Sequence, residues 1–308
     1  MSESVPTTII QEIRYPPIIN SGVQLFVLRD DLIHPFLNGN KWRKLKYNIP
    51  LIKENDSTLV ITFGGAWSNH LVATAAAGKM YGFPSIGIVR GDEAVSNDAL
   101  QFAQECGMTL HFISREKYRE RNIPEFQWQL EKELRQIHPE LLEEKFVYWL
   151  PEGGANQTAL KGCEEIPLAI SIDTNFICCA CGTGSTLAGI ARGMKKHQVA
   201  IGIPVLNAET YFNESLIHWE APLSQIELHH QFTFGGYAKK NKLLTDFCEH
   251  FSKHTTIPVE PVYTGKMFYG LTQLIQGGHF PHGSVITAIH TGGIFDFNQE
   301  FSRRLPSG

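Results

Sequence analysis

Short apolar runs alternate with helix-forming stretches along most of this chain, and that alternation restricts it to parallel sheets covered by helices. Residues 58–63, 85–90, 109–113, 146–151, 175–180 and 284–289 are runs of strand length. Strands buried on both faces read as such near-continuous apolar segments. Between them lie stretches with helix start and stop signals: 69–81 closed by Gly82, 97–106 closed by Gly107, and 186–197. Residues 25–29 form an early strand that ends at Asp30 and Asp31, and the basic stretch 42–47 reads as a short helix stopped by Pro50. The stretch 115–144 carries charges of both signs and reads as solvated helical surface. The expected fold class is α/β, with two domains, each an open, mostly parallel sheet flanked by helices. Residues 48–150 form the smaller domain and residues 1–47 with 151–308 the larger, the chain crossing near Glu152-Gly153-Gly154.

Composition removes several function classes. A formal net charge of -4 gives no reason to expect nucleic acid or an anionic membrane as partner. The first residues lack the basic and apolar regions of a secretory leader, and no apolar run has the length of a membrane span, so a cytoplasmic location is expected. Six cysteines in 308 residues do not make a disulfide framework. Cys178 and Cys181 have the spacing of a redox or metal pair, yet with Cys179 they crowd one apolar strand, where small buried hydrophobes are the default. The thirteen histidines are scattered with no HExxH pattern, and no metal is expected.

Three segments could carry chemistry. Gly182-Thr183-Gly184-Ser185-Thr186 follows a strand and opens a helix, so several free N–H groups and the helix dipole converge on one spot suited to a phosphate. Thr183, Ser185 and Thr186 add hydroxyl donors, and no lysine follows to make it a P-loop. A tight strand–helix turn with a hydroxyl cap would use the same residues. Ser68-Asn69-His70 makes a second helix start after Gly64-Gly65, able to hold a carboxylate or, through Asn69, a phenolic oxygen, or simply to cap the helix. Lys41 follows the loop Asn38-Gly39-Asn40 beside Arg43, Lys44 and Lys46, where nearby cations and partial burial would lower its pKa and favour a nucleophilic amine; a basic surface helix is the plainer alternative.

Together with Pro261-Val262-Tyr263-Thr264-Gly265-Lys266 and the late His290-Thr291-Gly292-Gly293, these motifs occur in order over residues 29–297. The chain resembles the 1-aminocyclopropane-1-carboxylate deaminase / D-cysteine desulfhydrase family, pyridoxal-phosphate enzymes of the tryptophan-synthase-β fold type. The resemblance implies that Lys41 bonds pyridoxal 5'-phosphate and acts as base at the substrate Cα. It implies that Asn69 bonds the cofactor 3-oxygen, that Gly182, Thr183, Gly184, Ser185 and Thr186 hold its phosphate, and that Thr291 faces its ring nitrogen. Ser68 would touch the substrate carboxylate or move a proton, with Asn69, His70, Tyr263 and Thr264 also at the substrate and Tyr237 as a second active-site tyrosine. A homodimer acting on a small amino acid is implied as well.

Cyclopropane deaminases of that family carry Glu where this chain has Thr264. A hydroxyl strengthens the cofactor's electron sink less than a carboxylate does, which favours elimination of a good leaving group. The expected reaction is α,β-elimination, with D-cysteine giving pyruvate, ammonia and sulfide. The alternatives are deamination of the cyclopropane amino acid and an inactive amino-acid sensor.

Overall fold

A computed structural model describes residues 8–91, 97–143 and 145–298. The N-terminal residues read above for a leader, and Glu144 at the end of the charged stretch, lie outside them. In chain order the strands are β1 (Ile10–Glu12), β2 (Gln24–Leu28), β3 (Thr58–Gly65), β4 (Ser85–Arg90) and β5 (Met108–Ile113). They continue as β6 (Phe146–Leu150), β7 (Phe176–Cys181), β8 (Val199–Pro204), β9 (Ile226–Leu228) and β10 (Val285–Ile289). The helices are α1 (Gly39–Lys53), α2 (Asn69–Tyr81), α3 (Asp98–Glu105), α4 (Pro124–Ile137) and α5 (Pro139–Leu142). After these come α6 (Gln157–Glu164), α7 (Ser185–Gly193), α8 (Glu209–His218), α9 (Lys242–Thr255) and α10 (Thr264–Gln276).

The strands form two sheets, ordered β1-β2-β10-β7-β8-β9 and β5-β4-β3-β6, every pairing parallel except β1 with β2. The α/β class with two mostly parallel, helix-flanked sheets therefore holds. Strands 58 to 150 make the smaller sheet and the remaining strands the larger one.

Period-two alternation along β7 sorts its side chains between two cores. Cys178 and Ala180 pack with Phe251 of α9 and Phe268 and Leu271 of α10. Ile177, Cys179 and Cys181 pack on the other face with Leu160 of α6, Leu187 and Ile190 of α7 and Phe212 of α8. Cys178 and Cys181 thus point to opposite faces of the sheet, and this rules out their acting as a pair on one ion or disulfide. α2 is apolar nearly all round and lies within the fold; Ser68 accepts from Leu71 N (3.3 Å) at its start, and Gly82, at φ 75°, closes its end.

Several boundaries differ from expectation. β3 runs through Gly64 and Gly65, which pair with Val89 and Arg90, so the turn begins two residues later. α7 ends at Gly193 rather than at residue 197. α1 continues past Pro50 to Lys53. An interior proline costs about 3 kcal/mol, while burial of Ile52 two residues on, at about 1.5–3 kcal/mol, offsets much of it.

Candidate active site

A cavity of about 380 Å³ opens beyond the C-terminal ends of β3, β7 and β10, where α/β sheets commonly bind ligands. Its wall brings together Lys41, Ser68 and Asn69, the loop Gly182-Thr183-Gly184 with Thr186, Tyr263 and Tyr237, and Thr291. These residues come from parts of the chain up to 250 positions apart.

The start of α1 is locked to the segment after β10. Gly39 has φ 58°, and a side-chain carbon there would overlap the Thr291 carbonyl, so the backbones touch only because the residue is glycine. Asn40 N donates to Thr291 O (3.3 Å), and Gly293 N donates to Asn38 Oδ1 (3.4 Å). His290 fixes the other side of this segment: its Nδ1 accepts from Gly292 N (3.3 Å), so Nε2 carries the proton donated to Pro258 O (2.7 Å).

Lys41 Nζ donates to Asn40 Oδ1 (3.0 Å), and Asn40 Nδ2 donates to Thr186 Oγ1 (3.1 Å), which ties the amine to the glycine loop. Burial first, and the Lys44 cation second, lower the Lys41 pKa to about 7. The other neighbouring cations are engaged elsewhere. Arg43 forks onto buried Asp30 at 2.8 and 2.9 Å, and Lys46 pairs with Glu165. Lys44 lies buried with Nζ on Gly153 O (3.1 Å), its own pKa lowered by burial.

In the glycine loop Gly184 stands at φ 81° before the first turn of α7, and a side-chain carbon there would lie 2.8 Å from Ser215 Oγ. The Ser215 hydroxyl donates to Thr183 O (2.7 Å) and holds the loop from below. Gly182, Thr183, Gly184 and Thr186 line the cavity, but Ser185 is fully buried with its hydroxyl on Thr183 Oγ1 (3.0 Å). Only the backbone N–H of Ser185 is therefore left for an anion. Gly189 serves packing: a carbon there would overlap Cys163 of α6.

Asn69 reaches the cavity across Gly293, whose lack of a side chain leaves room for the Asn69 amide. His70 also lines the cavity, with its Nε2 turned to Thr62. Thr62 Oγ1 spends its proton on Leu150 O (2.7 Å), so it accepts from His70 Nε2 (2.7 Å). That leaves His70 Nδ1 as a bare acceptor, buried and without a hydrogen-bond partner. Burial, then Lys41 and Lys44, push the His70 pKa well below the usual imidazole range, so the ring is neutral.

Tyr263 lies over the glycine loop, its ring edge 3.3 Å from where a Gly182 side-chain carbon would be, and packs edge-on to Tyr237 with centroids 6.0 Å apart. Burial, then Tyr237, raise the Tyr263 pKa well above the phenol range and keep the hydroxyl protonated. Thr264, expected at the substrate, is fully buried and does not line the cavity. Its hydroxyl meets Glu260 Oε1 (3.2 Å) and Glu260 N (3.1 Å), while the Glu260 carboxylate accepts the N–H groups of Val262, Tyr263 and Thr264 at the start of α10. The helix start claims the hydroxyl and turns it from the cavity.

The amino-acid sequence from residue 6 to 292 matches the family described as "Pyridoxal-phosphate dependent enzyme". The chain belongs to the pyridoxal-phosphate dependent enzymes. A candidate 1-aminocyclopropane-1-carboxylate deaminase of Pyrococcus abyssi is 31% identical over 95% of this chain and 93% of its own length. The bifunctional D-cysteine desulfhydrase/1-aminocyclopropane-1-carboxylate deaminase of Arabidopsis thaliana, a mitochondrial protein, is 28% identical over 90% of this chain and 74% of its own. The crystal structure of an ACC deaminase homologue superposes with a TM-score of 0.77 at 27% identity, covering 96% of this chain and 91% of that one. The narrower resemblance drawn from the motifs thus holds too.

The enzyme's cavity fits pyridoxal 5'-phosphate on its own features: a depressed lysine amine, a glycine cradle that a side chain at position 184 would fill, and hydroxyls on Thr183 and Thr186. Four charged lining or supporting residues had no site role assigned from sequence. Arg90 and Arg121 stand at the cavity with Glu152, which binds Arg121 Nε (2.8 Å) and the Tyr118 hydroxyl (2.7 Å). Lys266 of α10 is fully buried and donates to Thr233 O (2.8 Å) and Gly236 O (2.6 Å), holding the loop that carries Tyr237. Of these, Lys266 was detectable as the lone charged residue of α10. Among the described residues no helix is long and apolar enough to cross a membrane.

Proposed function

We propose that this enzyme eliminates the β-substituent of a small amino acid, with D-cysteine as leading substrate and pyruvate, ammonia and sulfide as products. Bound pyridoxal phosphate supplies an electron sink for the charge left at Cα when its proton departs. In this reading Lys41 would be the amine that holds the cofactor, and its free form would take the Cα proton. A pKa of about 7 suits both tasks near neutrality. The free N–H groups at the start of α2, with the Ser68 hydroxyl, bind the substrate carboxylate. Asn69 orients the cofactor ring through its 3-oxygen, the Gly182–Thr186 loop takes the phosphate, and Thr291 faces the ring nitrogen. The neutral phenol of Tyr263, with Tyr237 behind it, can give a proton to the departing group.

The observation that carries the choice of substrate is the state of the carboxylates. Among the described residues Glu152 alone lines the cavity as a carboxylate, and Arg121 and Tyr118 already hold it. Thr264 bears on the question only through its identity, since it faces Glu260. A wall of hydroxyls favours loss of a good leaving group over opening of a carbon ring. The relatives named for the cyclopropane substrate support that compound as the second reading. Both are tested by supplying cofactor-loaded enzyme with D-cysteine, D-serine and 1-aminocyclopropane-1-carboxylate. Pyruvate in excess over 2-oxobutanoate is expected, and no 2-oxo acid from any of them refutes the proposal.

The same reading treats the sheets as two domains, residues 48–150 and residues 1–47 with 151–308, that meet at the cavity, α1 crossing the first boundary. It also carries a homodimer in the cytoplasm, for which light scattering on the purified enzyme is the direct check of mass.

A further inference from the structure

Away from the cavity, at the edge of the larger sheet, the fold assembles three ligating side chains that are far apart in sequence. Glu227 lies on the edge strand β9, His229 just after it, and His279 in the turn between α10 and β10. Glu227 Oε2 stands 2.8 Å from His279 Nε2 and 3.5 Å from His229 Nε2, and the three ligand atoms fall within 4.8 Å of one another. The imidazoles meet edge to face, centroids 5.0 Å apart, so that both Nε2 atoms turn to one carboxylate oxygen. His229 Nε2 is buried and has no hydrogen-bond partner, although Glu227 is close. A hydrogen-bonded Glu227–His279 pair alone explains the first distance but not why a second imidazole nitrogen is held there unused.

We propose that Glu227, His229 and His279 bind a divalent transition cation of the zinc type, at a site separate from the cavity. Two imidazoles and a carboxylate are a borderline-soft donor set that suits zinc and disfavours magnesium or calcium. Zinc bonds of about 2.0–2.2 Å in a tetrahedron place neighbouring donors about 3.4 Å apart. The 3.5 Å gap already matches that spacing, and the 2.8 Å gap needs to open by about 0.6 Å, within reach of side-chain rotation. Glu227 and His279 are partly exposed, which leaves an entry path and room for water at the fourth position. The bound ion would pin the edge strand β9 to the turn after α10. That turn lies at the opposite end of α10 from Tyr263, about 20 Å away for a helix of this length.

The test uses the full-length, cofactor-loaded enzyme, stripped with a chelator and dialysed. Zinc titrated by calorimetry is expected to bind one ion per chain and to raise the melting temperature by about 2 °C or more at saturation. Magnesium is expected to do neither. Cobalt(II) should give the visible absorption of a tetrahedral site. His279→Ala should abolish the stoichiometric binding and the melting shift, and Glu227→Gln should weaken both, while cofactor uptake in each stays as in the wild type. Absence of stoichiometric zinc binding, or binding undiminished in His279→Ala, overturns the proposal and leaves a hydrogen-bonded histidine–glutamate cluster.

Discussion

Replacing Lys44 by methionine tests whether the Lys41 amine is poised by its neighbour as well as by burial. Both lysines line the cavity, and Lys41 has a pKa of about 7, lowered first by burial and then by Lys44. Side chains three apart on a helix have Cβ atoms about 5–6 Å apart. Charges about 7 Å apart at an effective dielectric near 20 repel by about 2.4 kcal/mol, or about 1.7 pKa units at about 1.36 kcal/mol each. Lys44 is itself pushed down by burial and carries less than a full charge over part of the range, so a rise of about one unit is expected for Lys41. At pH 7 its free-amine fraction should then fall from about one half to about one tenth. The assay is the rate at which the cofactor-free enzyme takes up pyridoxal phosphate, followed by visible absorbance across the neutral and alkaline range. Lys44→Met should slow uptake at pH 7 by about fivefold and regain the wild-type rate about two pH units higher. A midpoint that stays put or falls refutes the electrostatic argument. Slowing of equal size at every pH would instead mean that Lys44 acts by shaping the cavity.

Gly184→Ala forces a side chain into φ 81° and against Ser215, so cofactor affinity measured by fluorescence titration should fall about tenfold, the equivalent of about 1–2 kcal/mol. Asp30→Asn strips the buried Arg43 of its counter-charge and should cost about 3–5 kcal/mol in urea unfolding; a loss below about 1 kcal/mol would show that the pair is dispensable. Lys266→Met removes the donor shared by the Thr233 and Gly236 carbonyls and should lower stability by about 2–4 kcal/mol, while loosening the Tyr237 loop enough to lower kcat. His70 is held neutral by burial, so the unfolded chain takes up its proton first. Its contribution is full above about pH 6.5 and is lost as pH falls below that value, and His70→Gln should flatten the acid limb of a stability–pH curve.

The glycine loop, the Ser68 start of α2 and the Gly82 stop were legible because each is a local device: a strand, a flexible turn and a helix whose first N–H groups face one point. What sequence spacing could not give was orientation. Thr264 follows the cavity-lining Tyr263 by one residue, yet the carboxylate of Glu260 folds back over the first turn of α10 and takes its hydroxyl. An acidic residue just ahead of a helix start was the available signal, of the kind a capping carboxylate gives. His70 shows the same limit. Its place after Ser68 and Asn69 suggested the substrate, whereas its tautomer is set by Thr62 and Leu150 on two strands that the local sequence does not name.

The basic helix α1 joins these two kinds of information. At about 100° per residue, Lys41 and Lys44 share one face, while Arg43 and Lys46 share another. The division is readable from spacing alone, but the role of each face is not, because the deciding carboxylates arrive from elsewhere: Asp30 from the segment after β2 and Glu165 from the end of α6. Those two anions neutralise one face and let it pack, helped by Gly162, where any side chain would strike the Arg43 carbonyl. The other face is left with two amines, both depressed by burial, in a cavity where the Glu152 carboxylate is already engaged. A run of four cations would ordinarily be a solvated surface. Here the same run gives a reactive amine because half its charge is matched within the protein and the other half is turned inward, so loss of Asp30 should be felt in folding and loss of Lys44 in the titration of Lys41.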